Sequence, residues 1–383
     1  MKILLVTRGY PQKHNKNLGL FERDQAIALK KAGYDVAYAV VDIRSFRKKR
    51  QFGFNSFVDE NGIKVYEMNW PIGPVPRKFI EFFRQEALIK LYSYILKEFG
   101  RPDIVHAHFL NYGVISIKLC KKENLPLVIT EHSSYLMQEK HTKAVINRAK
   151  KTYNACSAII AVSQPLANVI KNLSGCDAVV ISNIASVPYP IKENKQKDTS
   201  KNNKFVFASA ANLLKHKGFD TLISGFSKLA NINKNVELWI YGDGPEKNNL
   251  IKLAKKLNVD KQVHFYGKYE RSEIANQFSK ADCFVLTSRV ETFGVVYIEA
   301  MACGLPVIAT RCCGPESFVN NKNGYLIPID DDDALFEAMK DVIKNRNKFD
   351  SNQIKKFTND NFSEEAISKR ITEVYNNVIK KNN

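Results

Sequence analysis

Nowhere does the 383-residue chain carry an apolar run approaching the ~20 residues that span a bilayer. Its first apolar run, residues 3–6, is interrupted at once by Thr7 and Arg8, which argues against a secretory signal. The seven cysteines are odd in number and never spaced C-x-x-C, and neighbouring Cys312 and Cys313 are poorly placed to bond each other or to close a metal site. Reduced thiols in a cytoplasmic protein are the expectation. A three-glycine dinucleotide fingerprint is also missing, because the one G-x-G that suggests it, Gly242-Asp243-Gly244, has Lys247 at the third position. No stretch interleaves aromatic side chains with a basic groove, which argues against nucleic acid as a partner.

Acidic residues are scarce: 39 against 58 Lys and Arg, a net charge of +19. Residues 1–187 hold 28 of the cations and only 15 of the acids, so most of the excess sits there. Such a charge suits anionic partners, including a membrane surface or an acidic substrate. With 44% hydrophobic and 25% charged residues, the chain is that of a globular protein long enough for two full cores.

What the chain does have is concentrated in residues 281–319. Residues 283–286 read as a strand buried on both faces, residues 287–292 as a polar loop, and residues 294–303 as a helix stopped by Gly304. Residues 305–309 form the next buried strand. Glu291 and Glu299 stand eight residues apart. On one continuous helix that is about 800°, leaving them roughly 80° apart and on different faces. With Glu291 on the loop and Glu299 inside the helix, both can border one ligand at different depths. Between them, Phe293-Gly294-Val295 puts free amides at a helix start, a ready anion site where Gly294 permits close approach of a diphosphate.

Residues 291–310, ETFGVVYIEAMACGLPVIAT, closely resemble the signature of the family 4 retaining glycosyltransferases, which have the GT-B fold. The resemblance implies that Glu291 contacts the donor sugar, that Glu299 holds the ribose hydroxyls of a nucleotide diphosphate sugar, and that the Phe293–Gly294–Val295 amides hold the diphosphate. The family follows its second strand with Gly-Gly, where this chain has Cys313-Gly314. It also places an arginine five residues before a lysine on the diphosphate. Lys217 matches the lysine, and Asn212 stands where the arginine would be. Gly242 in the Gly-Asp-Gly-Pro turn lies near the nucleotide in similar enzymes, and Gly267-Lys268 would hold the base.

Both halves alternate strands with helices. The expected fold is α/β: two Rossmann-like, doubly wound domains facing across a cleft. Residues 1–187 would form an acceptor-side domain and residues 188–361 a nucleotide-sugar domain, with a last helix, 362–383, crossing back to the first. In the first domain Gly19, before the first helix, matches the family glycine beneath the donor phosphates. Residues 103–108 read as a strand running into a loop, with His106 and His108 on one side by alternation. His108 matches the family's active-site histidine, His106 reads as structural, and His132 at the end of the next strand is an acceptor-side candidate. Residues 44–50 pack five cations into seven positions and read as a solvated loop. Residues 76–99 are amphipathic and basic, and their Phe79, Phe82 and Phe83 suit a core or an anionic bilayer. The four aspartates 330–333 open a helix, where acids suit the positive dipole end, and are not read as a D-x-D metal motif.

The resulting expectation is a cytoplasmic, metal-independent retaining glycosyltransferase with no cofactor. Its donor would be a UDP-, GDP- or ADP-sugar, and its acceptor a glycan or lipid-linked molecule in cell-surface polysaccharide assembly. Catalysis would rest on Glu291 and His108, with the inner face of the membrane as a possible docking surface. A sugar-nucleotide epimerase of the same fold and a non-catalytic nucleotide-sugar binder are the alternatives.

Overall fold

The computed structural model describes residues 1–11, 18–43, 52–73, 75–138, 140–186 and 204–382. The basic run 44–50 and the polar run 192–203 lie outside the described residues. The chain divides into two units, Met1–Ile184 with Glu364–Asn383, and Ala185–Ser363. The division falls at Ile184, not at 187, because the Ala185 amide already donates to Phe362 O (2.9 Å) in the second unit.

In the first unit the strands are β1 (Lys2–Thr7), β2 (Asp35–Asp42), β3 (Gly53–Val58), β4 (Lys64–Asn69), β5 (Ile104–His108), β6 (Leu127–Glu131), β7 (Ala158–Ala161) and β8 (Val179–Val180). Helices α1 (Leu20–Lys31), α2 (Arg77–Glu98), α3 (Phe109–Glu123), α4 (Lys143–Tyr153) and α5 (Gln164–Ser174) connect them. The sheet order is β3-β4-β2-β1-β5-β6-β7-β8, with every pairing parallel except β3 with β4. Central strands β1, β5 and β6 are buried on both faces, as parallel strands between helices must be.

The β3–β4 hairpin was not legible in the sequence, since GFNSFV shows no clean alternation. Its turn explains why it forms: the Asp59 carboxylate accepts the amides of Asn61 (2.9 Å) and Ile63 (2.7 Å), and Gly62 takes a positive φ. The terminal helix Glu364–Asn382 buries a stripe of Ile367, Ile371, Val374, Tyr375 and Val378 in the same core as β1 and β2.

The second unit contains β9 (Phe205–Ala210), α6 (Phe219–Ile232), β10 (Val236–Tyr241), α7 (Lys247–Lys256), β11 (Val263–Gly267) and α8 (Arg271–Phe278). These are followed by β12 (Cys283–Leu286), α9 (Val295–Ala302), β13 (Val307–Thr310), β14 (Gly324–Ile327), α10 (Asp332–Lys344) and α11 (Ser351–Phe362). The six strands run parallel in the order β11-β10-β9-β12-β13-β14. Asp331 caps α10 by accepting the Ala334 amide (2.8 Å), the helix-opening role read from the aspartate run.

In each unit the chain reverses direction across the sheet once, between β1 and β5 in the first and between β9 and β12 in the second. At such a switch point the flanking loops part at the carboxyl ends of the strands, which is where doubly wound sheets bind ligands.

Candidate functional site

The loops after β9 and β12 flank the switch point of the second unit, and they carry Lys217 and Glu291. A single 3-10 turn, Lys215–Lys217, holds the lysine. It is fastened across the gap: Thr287 Oγ1 donates to Gly218 O (2.7 Å), the Arg289 amide to His216 O (2.8 Å), and the Arg289 guanidinium to Lys215 O. The same guanidinium bonds Asp220 (2.9 Å) and Asp330 (2.8 Å), so the lysine loop cannot drift from the glutamate loop.

Lys217 Nζ then lies 2.6 Å from Glu291 Oε1, which also accepts from Ser288 Oγ at 2.9 Å. Glu291 is held along its backbone too, its amide donating to Cys312 O (3.1 Å) and its carbonyl accepting from the Gly314 amide (2.9 Å). That bridge explains the Cys313-Gly314 pair. A Cβ at position 314 would lie 2.6 Å from Phe293 O, so only glycine fits. Position 313 has φ +83°, which a cysteine tolerates at a cost.

The Phe293 ring is core, packed on Phe318 and Phe362, while Gly294 caps α9 with a left-handed backbone. The first bond back to that cap is Tyr297 N to Gly294 O, leaving the Val295 and Val296 amides ahead of it at the positive end of the helix.

Glu299 lies inside α9, 5% exposed, with its carboxylate 2.5 Å from Arg271 Nε. The sequence reading missed Arg271. No spacing announces it, and the only clue is that a buried glutamate requires a cation from elsewhere. Each carboxylate of the E-x7-E pair thus has a basic partner from a different segment, Lys217 on the turn after β9 and Arg271 at the start of α8.

The remaining positions gather at the same edge of the sheet. Gly242 N donates to Gly267 O (2.7 Å), and Leu213 N to Asp243 O (3.0 Å), joining the loops after β9, β10 and β11. Asn212 and Lys268 are exposed. Behind them Tyr241 stacks on Tyr266 and meets Tyr269 edge-on.

In the first unit, β1 ends at Thr7, just before Arg8, β5 at His108 and β6 at Glu131, three neighbouring strand ends at the switch point. His106, His108 and His132 form a stack, with ring centroids 4.6 Å and 5.3 Å apart. His106 uses both ring nitrogens, on Tyr375 Oη (2.5 Å) of the terminal helix and on Thr130 Oγ1 (2.7 Å), consistent with a structural role. His108 Nδ1 meets His132 Nε2 at 3.1 Å, while His108 Nε2 has no partner among the described residues.

Burial holds all three imidazoles neutral, with His106 and His132 pushed down to about 3 and His108 well below its ordinary value. Neutral rings orient and hydrogen-bond, whereas general acid catalysis at neutral pH would need a higher pKa. Contrary to the loop expected after residue 108, β5 runs straight into α3, with Phe109 at φ +69° as the joint. Arg8, also missed from the sequence, stacks on the Phe109 ring (4.7 Å) and donates to buried Glu22 (3.1 Å).

Gly19 caps α1 with φ +78°, and a Cβ there would lie 2.1 Å from Gly9 O. Close packing alone accounts for this glycine.

Two family models match the chain: "Glycosyltransferase Family 4" over residues 23–186 and "Glycosyl transferases group 1" over residues 190–360. The alpha-monoglucosyldiacylglycerol synthase of Acholeplasma laidlawii is 28% identical over 65% of this chain and 69% of its own length. A putative teichuronic acid biosynthesis glycosyltransferase of Bacillus subtilis, TuaC, is 26% identical over 88% of both chains. Among solved structures, Anabaena HepE in complex with UDP and glucose superimposes with a TM-score of 0.72 at 21% identity, covering 98% of this chain and 100% of that one.

Proposed function

From the chain's membership of the family 4 glycosyltransferases, which makes it a nucleotide-sugar-dependent transferase, we infer the chemistry of its site. It is retaining and metal-independent, and it moves a sugar from a UDP-, GDP- or ADP-sugar to a glycan or lipid-linked acceptor in cell-surface assembly. The observation that carries this reading is the Lys217–Glu291 pair at the switch point of the second unit, beside the N-terminus of α9.

Breaking the bond between sugar and diphosphate leaves charge on the departing phosphate. Lys217 and the Val295 and Val296 amides would offset it, so this chain's own groups supply the positive charge. Glu299 would anchor the ribose and Glu291 the sugar, with Gly242, Gly267 and Lys268 around the base and Asn212 donating a hydrogen bond where the family has an arginine. Glu291 is engaged by Lys217 and Ser288, an arrangement suited to orienting a sugar and less so to attacking it. His108, neutral and with Nε2 unpartnered, would contribute a hydrogen bond to the transferring group.

The lipid-linked acceptor is supported by the glycolipid product in the Acholeplasma relative's name and by the surface of α2. Phe79 and Phe82 are 46% and 52% exposed, with Lys118 over the Phe82 ring, and Lys90 of the same helix lies over the Trp70 ring. Exposed aromatics among lysines suit an anionic bilayer surface. Among the described residues no helix is long and apolar enough to cross a membrane.

The test is product analysis. Incubation with the accepted donor and a soluble acceptor, in excess chelator, is expected to give a product whose anomeric proton coupling matches that of the donor. Inverted coupling, or loss of turnover on chelation, would remove the retaining or the metal-independent part of the reading.

A further inference from the structure

Buried carboxylates are costly unless donors surround them, so a fully buried glutamate with no cation partner among the described residues is informative. Glu131, at the end of β6, is 0% exposed. Its Oε1 accepts the amides of His132 (3.0 Å) and Ser133 (2.9 Å). Its Oε2 accepts the Leu110 amide (2.7 Å) and the Tyr153 hydroxyl (2.9 Å). Four donors meet one side chain, and three of them are backbone amides of the segments that carry His108 and His132.

We propose that Glu131 is a positioning residue for sugar transfer, holding His108 and His132 in register by clamping the segment after each of them. The proposal rests on the reading of His108 given above. Leu110 lies two residues beyond His108, across the strained joint at Phe109 (φ +69°), and its bond to Glu131 locks that joint. His132 and Ser133 are held on the other oxygen. With both segments pinned to one carboxylate, the Nδ1–Nε2 contact between the histidines is fixed at 3.1 Å, and His108 Nε2 keeps one direction. Tyr153, at the end of α4, ties the clamp to the helical layer. A glutamine of the same shape can accept on one side only, and its amide group would face donors on the other, so shape is retained while the clamp is lost.

The test uses the full chain with its accepted donor. Glu131→Gln is expected to lower kcat by about tenfold or more, as small misplacements of orienting groups do. Donor KM and nucleoside diphosphate Kd should stay within about twofold. On a His108→Ala/His132→Ala background the same substitution should cost nothing further. Histidine ring resonances should show His108 losing its single tautomer in Glu131→Gln.

A wild-type kcat for Glu131→Gln, or an equal loss on the double-alanine background, overturns the proposal while leaving the histidine reading intact. A wild-type kcat for His108→Ala instead strikes the histidine reading, and this proposal with it. Should Glu131→Gln not fold, Tyr153→Phe decides. It removes one of the four donors and is expected to lower kcat in the same direction with Kd unchanged, and an unchanged kcat overturns the clamp.

Discussion

Lys217 Nζ rests 2.6 Å from Glu291 Oε1, joining two loops separated by 74 residues. Both side chains are largely buried, at 19% and 11% exposure, so neither charge is well screened by water. The site is therefore balanced before any ligand arrives, and a diphosphate entering it competes with Glu291 for the lysine.

Removing the lysine should cost affinity for the diphosphate and leave Glu291 without its cation. Lys217→Ala is expected to raise the Kd of the cognate nucleoside diphosphate by about tenfold or more, or ~1.4 kcal/mol, by calorimetric titration. Binding of the free nucleoside should change little. Equal losses for both ligands would show that the lysine supports the loop and not the phosphates.

The Glu299–Arg271 pair separates ribose recognition from phosphate recognition. Glu299→Gln keeps the volume and removes the charge, leaving the half-buried Arg271 without its carboxylate. Nucleoside diphosphate affinity is expected to fall about tenfold, since hydrogen bonds to a charged acceptor are worth ~1.5–3 kcal/mol. Pyrophosphate affinity, measured in the same titration series, should stay the same or rise, and a parallel loss would remove Glu299 from the ribose.

Buried neutral histidines give stability a pH dependence of definite sign. The His106 pKa is pushed down to about 3 in the fold, against an ordinary value near 6.5 when unfolded. The unfolded chain thus binds more protons as pH falls below that value, and the stability His106 contributes is lost progressively towards acid. Buried Glu131 and Glu22 are shifted upward by burial and act in the opposite sense, so the effect is read as a difference. The gap in Tm between wild type and His106→Asn is expected to narrow from pH 7.5 to pH 5. A gap constant across that range would contradict the neutral, doubly bonded His106.

Cys313 occupies a left-handed conformation at φ +83° where the family signature continues with glycine. Replacing it with glycine should relieve about 1 kcal/mol of backbone strain. For a unit of this size that is a rise of roughly 2–4 °C in Tm. A drop would mean that the cysteine side chain packs against the Glu291 bridge to a greater extent than its half-buried position indicates.

Much of this was legible in the sequence because parallel strands buried on both faces leave short apolar runs. Residues 283–286 and the run beginning at Val307 are of that kind, and the E-x7-E spacing placed Glu291 on a loop and Glu299 in a helix. Lys217 could be matched because it stands next to Gly218 at a strand-to-helix loop. The residues that escaped are those whose importance comes from what they touch across the chain. Arg271 and Arg8 sit in unremarkable polar stretches, and only the buried carboxylates they meet give them meaning. The β3–β4 hairpin escaped because its strands pair at a sheet edge, where alternation is weak. In α2 the periodicity was visible, but the sequence could not show that Leu88, Leu91 and Ile95 are buried while Phe79 and Phe82 are not.

The most direct test of the donor site is thermal stabilisation of the purified chain by UDP-, GDP- and ADP-sugars, with and without chelator. The account predicts a clear rise in Tm with one nucleotide, unchanged by chelator and abolished in Glu299→Ala. No rise with any of them, or a rise that survives Glu299→Ala, would contradict the donor site assigned to Lys217, Glu291 and Glu299.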